Sequence, residues 1–444
     1  MKRTLSLFIL FTLVFTLVSC GQKEFIFEED SGTNFLGNTF TVYSGTMFSE
    51  PWLSEKRERG GSASHDRFLD RIEQIEKDYN VKIRNEHDNI QTKILAMTLN
   101  GGGGCDMIHC GNDVLYNFYT LGILTPFEEI GVKDNKDEKF GIPSLLVEGT
   151  FDGTQFGITN YLGDSTPSME GLITINMELL RDLAMTDPHE YAEKGEWNWE
   201  NFRAFLEKIK FNDGDREWRG MGLVLGGAYG GIYNIFPFVL SNGGSFVKQT
   251  NGRYSVNVDS PEAMEAYDFI ANLGAAGLLD EVPVDDPAYI SGEKWMLTCG
   301  SYRTSNEFNI AQIRYPFGPS GNKDAFSVFS SAETVWSFPI FSAYTEEEIG
   351  EVSEYLFEPL SPSVYPNGWK DVLDDNVFYY PGELEYYITA AEHAEFIDMD
   401  INCDSAYLLN GALIDIKRGT QSPSAAIDSI IDVMSEEINE NYNK

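Results

Sequence analysis

From residue 40 onward, short runs of β-branched and aromatic residues alternate with helical stretches, and this alternation restricts the chain most. Phe40-Thr41-Val42-Tyr43 reads as a strand ending at Ser44-Gly45. A helix from about Arg67 to Tyr79 follows, with Phe68, Ile72, Ile75 and Tyr79 on one face. Val81-Lys82-Ile83 is a second strand and Thr92 to Leu99 a second helix. Gly101 to Gly104 then break the chain before a strand over Asp106 to His109 and a helix over Asp113 to Leu121. Strands alternating with helices imply right-handed βαβ units and a mostly parallel sheet. The middle repeats the theme. Asn198 is the expected N-cap of a helix over Trp199 to Lys210, striped with Phe202, Phe205, Leu206 and Ile209. Ser260 caps another, with Pro261 at its first position. A last helix is expected over Ser424 to about Asn439.

The first 20 residues are of a different kind. Lys2 and Arg3 precede an apolar run from Leu5 to Val18, and Ser19-Cys20 close it. A basic start, an apolar core and small residues at a cleavage point describe a secretory signal. The run is shorter than the ~20 residues a helix needs to span a bilayer. Leu17-Val18-Ser19-Cys20 resembles the lipobox of bacterial lipoproteins, in which the Cys20 thiol is acylated before cleavage. Two or three acyl chains hold a protein on a membrane where one would not. The acidic, glycine-bearing stretch that follows, to residue 37, reads as a tether.

A formal charge of −38 repels a phosphate backbone, so nucleic acid is excluded as a partner. The acidity itself needs only solubility as its explanation. Cys105 and Cys110 flank one expected strand, whose five residues span ~16 Å, too far for a disulfide. No Cys or His cluster has zinc spacing. Ser291-Gly292-Glu293-Lys294 fits a Ser-x-x-Lys nucleophile pattern but lacks its partner motifs. Asp398, Asp400, Asn402 and Asp404 begin like a calcium loop, yet Cys403 and Leu409 stand where glycine and glutamate are needed. No metal, cofactor or catalytic constellation is expected.

Several short patterns resemble, in order, those of the family 1 extracellular solute-binding proteins, the maltose-binding-like carbohydrate type. They are Gly103-Gly104-Cys105-Asp106-Met107-Ile108, Gly122-Ile123-Leu124-Thr125-Pro126-Phe127, Asp152-Gly153-Thr154-Gln155-Phe156-Gly157, and Ile175-Asn176-Met177-Glu178-Leu179-Leu180. Trp197-Asn198-Trp199-Glu200-Asn201-Phe202, Asn242-Gly243-Gly244, Asp259-Ser260-Pro261-Glu262-Ala263 and Ser291 to Met296 complete the series. Each is weak alone; their shared order is specific. The resemblance implies a two-lobed α/β fold of the class II periplasmic-binding type, with lobes of discontinuous chain and a cleft between them. The expected lobes are 38–158 with 332–400, and 159–331 with 401–444. Crossings are expected near Gly157 to Tyr161, near Phe326 to Ser331 and near Asp400.

The resemblance also implies function: capture of a sugar or oligosaccharide and delivery to the transmembrane subunits of an ABC permease, by a monomer anchored through Cys20. A sugar has an apolar C–H face and a rim of hydroxyls, so its site needs aromatic platforms and planar hydrogen-bonding side chains. Tyr302 and Tyr233 match stacking positions of the family, and Asp113 matches its hydroxyl-accepting carboxylate. Asp113 could equally cap its helix, and each tyrosine could equally pack a core. Tyr161 stands at the first crossing. Ser44, Asn112, Arg303, Glu333, Trp336 and Tyr407 are further candidates, from loops expected at the cleft rim. The family's charged pair after the first strand has no counterpart, since Thr46 and Met47 occupy that loop. A secreted carbohydrate-active enzyme and a sensory protein presenting ligand to a receptor kinase stay open as alternatives. Aromatics and carboxylates fit neutral sugars, but also some peptides and polyols.

Overall fold

A computed structural model describes residues 33–45, 63–142, 146–159, 171–212, 217–226, 229–251, 253–283, 295–299, 310–324, 326, 329–330, 334–358, 370, 382–393, 395–396 and 405–442. The chain opens with β1 (Thr39–Gly45), α1 (Ala63–Asp78), β2 (Lys82–Asp88), α2 (Ile90–Leu99), β3 (Met107–Gly111) and α3 (Asn112–Thr120). A small hairpin, β4 (Thr150–Phe151) and β5 (Thr154–Gln155), leads to β6 (Gly157–Ile158). Then come β7 (Leu172–Asn176), α4 (Met177–Asp182), α5 (Pro188–Glu193), α6 (Trp199–Ile209), β8 (Phe211–Asn212), β9 (Glu217–Leu223) and α7 (Gly230–Ser241). The ribbon β10 (Val247–Thr250) and β11 (Arg253–Val256) precedes α8 (Pro261–Ala275), β12 (Leu279–Glu281), β13 (Trp295–Cys299) and β14 (Ile310–Arg314). The last part holds β15 (Phe329–Ser330), β16 (Thr334–Ser337), α9 (Glu346–Leu356), α10 (Glu383–Glu392), β17 (Glu395–Phe396), α11 (Ser405–Arg418), α12 (Pro423–Asp428) and α13 (Ile431–Tyr442).

These strands form two main sheets, as an α/β fold of two lobes requires. The first runs β2-β1-β3-β16-β6, with β1 parallel to β2 and β3, and β16 antiparallel to β3 and β6. The second runs β12-β9-β13-β7-β14, with β8 paired to β9. Its first three strands are parallel and β7 runs against both its neighbours. Each sheet has its own apolar core. Phe40, Val42, Phe68, Ile72, Ile75 and Phe127 are among those filling one side of the first sheet, and Ile94, Ile108, Leu115 and Phe118 the other. The second core is larger, and includes Trp197, Phe202, Phe236, Phe238, Tyr267, Leu413 and Ile427.

Local chemistry sets the helix ends. Asn198 caps α6 by accepting from the Asn201 amide at 3.0 Å, and Ser260 caps α8 with Pro261 behind it. The last expected helix is instead two. Ser422 and Pro423 start α12, and the Ser429 hydroxyl donates back to the Ala426 carbonyl at 2.7 Å where α12 stops. Such back-bonding competes with helix continuation. Cys105 and Cys110 are buried and unbridged, in keeping with the strand between them.

β14 is the free edge of the second sheet, and side chains cover it. The Glu383 Oε1 accepts the Gln312 amide at 2.7 Å and the Tyr386 hydroxyl accepts the Arg314 amide at 2.8 Å, both from α10. From the other direction the Trp197 indole donates to the Arg314 carbonyl at 2.9 Å, and His189 Nε2 meets the Gln312 carbonyl at 2.9 Å. An uncovered edge is a template for unwanted pairing. Here four side chains take its backbone groups, and α10 becomes part of the sheet's boundary. Its other face joins Ile142 and Leu172 through Tyr387, Ala390 and Ala391. The helix therefore touches chain on both sides of the first crossing.

Candidate ligand site

Strand directions fix where a ligand can sit. β6 leaves the first sheet at Ile158, and β16 returns to it at Thr334, paired with Gly111 at the end of β3. Both crossings therefore meet the first sheet at the edge where β1, β2 and β3 end. On the second sheet the chain arrives at Leu172, paired with Arg314, and Ile173 pairs with Cys299. That is the edge where β9, β13 and β14 end. Where a third crossing runs from α10 to α11, β17 pairs in parallel with β15 of the second, Phe329 with Glu395 and Ser330 with Phe396. In open α/β sheets ligands bind beyond the carboxyl ends of the strands. Both sheets turn those ends to the connecting segments.

Three tyrosines occupy this edge of the second sheet. Tyr229 is the residue before α7, which follows β9, and Tyr233 lies one turn into that helix. Tyr407 is in the first turn of α11, just after the third crossing. The Tyr229 and Tyr407 rings stack at 5.1 Å, tilted by 26°, and Tyr229 and Tyr233 lie 5.9 Å apart. Tyr407 is 51% exposed, while Tyr229 and Tyr233 are partly buried against the core.

A buried amide brings them together. The Asn410 Oδ1, from α11, accepts the Gly231 amide at 2.7 Å and the Ile232 amide at 3.3 Å, two of the first-turn donors of α7. Asn234 pins the same turn from inside, donating to the carbonyls of Val224 and Gly230 at 2.9 and 2.8 Å. Glycine is needed for this approach, because a Cβ on Gly231 would sit 2.8 Å from the Asn410 carbonyl oxygen. Two effects oppose each other in Gly231→Ala. Helix propensity would add about 1 kcal/mol, and overpacking costs about 1–3 kcal/mol. Backbone, not a flexible side-chain end, must yield, so we expect a net loss of about 1 kcal/mol in urea melts. An alanine protein more stable than the parent would refute this fit.

The facing edge of the first sheet is built differently. The Ser44 side chain is fully buried and its hydroxyl donates to Asn85 Oδ1 at 3.2 Å. Trp336 is 2% exposed, stacked on His109 at 4.1 Å and 12°, with Phe357 at its edge. Both side chains lie inside the lobe, because β1 and β16 are inner strands of a sheet covered on both faces. Asp106 is buried at the start of β3; its carboxylate accepts from the Thr41 and Ala343 amides and the Ser342 hydroxyl, joining β1 to the chain after β16. Burial raises its pKa and these donors hold it down. Asn112 and Asp113 are the first two residues of α3, directly after β3, and Gly111 takes the N-cap position.

The sequence matches the family described as bacterial extracellular solute-binding protein over residues 57–289, more than half the chain. The chain belongs to that family. Among curated proteins none matches it. Its fold is similar to that of the sugar-binding protein MalE from the phytopathogen Xanthomonas citri, at 14% identity and a TM-score of 0.64, covering 90% of this chain and 98% of that one. It is also similar to the cyclic alpha-maltosyl-1,6-maltose binding protein from Arthrobacter globiformis (14%, 0.63, 90% and 99%). The GacH receptor of Streptomyces glaucescens, solved unliganded and with acarbose, is a third (14%, 0.59, 92% and 99%).

Members of this solute-binding family hold ligands and are not enzymes by family or fold neighbourhood. Among the described residues no group of His, Cys, Asp and Glu could hold a metal ion. No described helix is long and apolar enough to cross a membrane. Of the sequence-derived site residues, Tyr233 and Tyr407 come together at the cleft edge, and Asn112 and Asp113 lie at the opposite sheet's edge. Tyr161, Tyr302, Arg303, Glu333 and the anchor Cys20 lie outside the described residues. Tyr229 and Asn410 are the members that sequence reasoning missed. The Tyr229-Gly230-Gly231 run was the available signal, since paired glycines opening a helix mark a close backbone approach.

Proposed function

We propose that this solute-binding protein captures a sugar or short oligosaccharide between its lobes and hands it to the transmembrane subunits of an ABC importer. The tyrosine row at the edge of the second sheet carries this reading. Half-exposed aromatic rings beside a cleft are what the C–H face of a pyranose stacks on. Structural neighbours support it: one is a sugar-binding protein, one was solved with acarbose, and another with maltotetraose. The lobes are residues 38–158 with 332–400, and 159–331 with 401–444, with α10 at their join. They close on the ligand by a hinge motion, with Asp113 and Tyr302 completing the polar and aromatic contacts.

A thermal-shift screen of the chain from residue 21, against mono- and oligosaccharides with peptide controls, tests the ligand class. Binding to the folded state alone adds about 2.7 kcal/mol at a hundredfold excess over Kd. A rise with one glycan family, lost in Tyr233→Ala, is the expected result. A rise with peptides and none with any sugar would end the carbohydrate reading.

The same proposal places the mature protein on the outer face of the cell membrane, held by acyl chains on Cys20. The full chain should fractionate with membranes and incorporate labelled palmitate, and Cys20→Ala should do neither. A Cys20→Ala chain that stays in washed membranes through an uncleaved signal would differ by its larger mass. Retention at mature mass would remove the anchor.

A further inference from the structure

Tyr407 is the only described aromatic side chain that is more than half exposed. Its neighbours on the open side of α11 are Leu408, also exposed, and Gly411, where a Cβ would meet nothing within 4 Å. One turn on from the ring, the helix therefore presents bare backbone and open space. The ring itself is not loose. Tyr229 backs it at 5.1 Å, and the seam holding the two helices together is made by Asn410 and Gly231. An aromatic ring fixed from behind and open in front is a built platform.

The row also has a direction. Tyr233 is packed against the core, Tyr229 is intermediate and Tyr407 is exposed, with ring centroids stepping by 5.9 and 5.1 Å. Each step is close to the advance of one ring along a glycan. A single pyranose covers one position of such a row and leaves the outer ring in water. A chain of two or more covers both ends.

On the reading that the cleft takes sugar, we propose that Tyr407, backed by Tyr229, is an outer stacking position for a glycan of at least two pyranose units. Asn410 is its positioning residue. It touches no ligand in this scheme. It ties the first turn of α7, which follows Tyr229, to α11, which carries Tyr407 three residues earlier. Tyr233 is held independently, since Asn234 anchors the inner turn and the Tyr315 hydroxyl donates to the Asn234 carbonyl at 3.1 Å. Disturbing the seam should therefore move the outer position and spare the inner one.

Calorimetric titration with ladders of one to four units tests this: glucose to maltotetraose, glucose to cellotetraose, and the matching xylose and mannose series. In the parent, affinity should rise with length in the series that binds. Tyr407→Ala should lower the affinity for the longer members about tenfold and leave the shortest member that binds unchanged. Asn410→Ala should copy that pattern, and Asn410→Asp should restore it, because a carboxylate also accepts helix N-terminal amides. If Asn410→Ala fails to fold, Tyr407→Ala and Tyr229→Leu still read the outer position. Equal losses at every length, or no loss at any, would overturn the outer position while the sugar reading stands. No binding by any member of any ladder would overturn both.

Discussion

At pH 8 the Glu383→Gln protein is expected to be more stable than the parent, and below pH 4.5 the two should be alike. Glu383 is 3% exposed, on the helix that closes the β14 edge. Burial raises its pKa from 4.5 to about 8, against the pull of His189 and the Gln312 amide. A carboxyl group whose pKa is raised by folding stabilises the fold fully below its unfolded value. That contribution is lost as pH rises through the folded value. Between 4.5 and about 8 the ceiling of the effect is about 5 kcal/mol. Relaxation around the charge will bring the measured value lower.

Glutamine copies the protonated acid. It keeps an oxygen for the Gln312 amide and puts a donor at the other position, where Oε2 is buried without a partner among the described residues. The charged surroundings are few. Asp187 and His189 face it from α5, and Arg314 lies two residues along β14 from its hydrogen-bond partner. His189 contributes with the same sign: burial lowers its pKa, but Asp187 and the Gln312 carbonyl bring it above the usual value. Urea melts of parent and variant from pH 4 to 9 decide the matter. Parallel pH profiles would mean that Glu383 stays ionised at the sheet edge and that water reaches it.

The alternation of strands and helices was legible because it depends on neighbours in sequence. The caps at Asn198 and Ser260 were legible for the same reason. Contacts between distant residues were not. Asn410 caps α7 across 179 positions, and nothing near Asn410 marks it as anything but a polar residue within a helix. Ser44 and Trp336 show a second limit. Inner strands of a sheet covered on both faces do not alternate apolar with polar, so the sequence cannot tell which side chains turn toward the cleft. Both turned inward. Tyr407 stood out only once its exposure could be compared with that of the other aromatics.

The pair Trp197 and Trp199, in the pattern that pointed to the family, should separate sharply on substitution. Both are buried, at 1% and 8% exposed. Trp197 packs edge-on to Phe202 and Phe205 and donates its indole N–H to the Arg314 carbonyl. Truncation to alanine removes about 3–5 kcal/mol of packing. It also leaves an edge-strand carbonyl without its donor, which costs about 1–3 kcal/mol more if water cannot enter. Trp199 stacks flat on Phe269 at 4.3 Å, and its indole N–H has no partner among the described residues. Phenylalanine preserves most of the packing at either site. Trp197→Phe should therefore lose the hydrogen bond and destabilise by a further ~1 kcal/mol or more, whereas Trp199→Phe has no such bond to lose. Chemical denaturation of the two phenylalanine variants, with Trp197→Ala for scale, measures the difference. Equal losses at the two sites would show that the indole of Trp197 fills space without closing the edge. The covering of β14 would then rest on Glu383, Tyr386 and His189, and the pH response of Glu383→Gln should become correspondingly larger in a Trp197→Phe background.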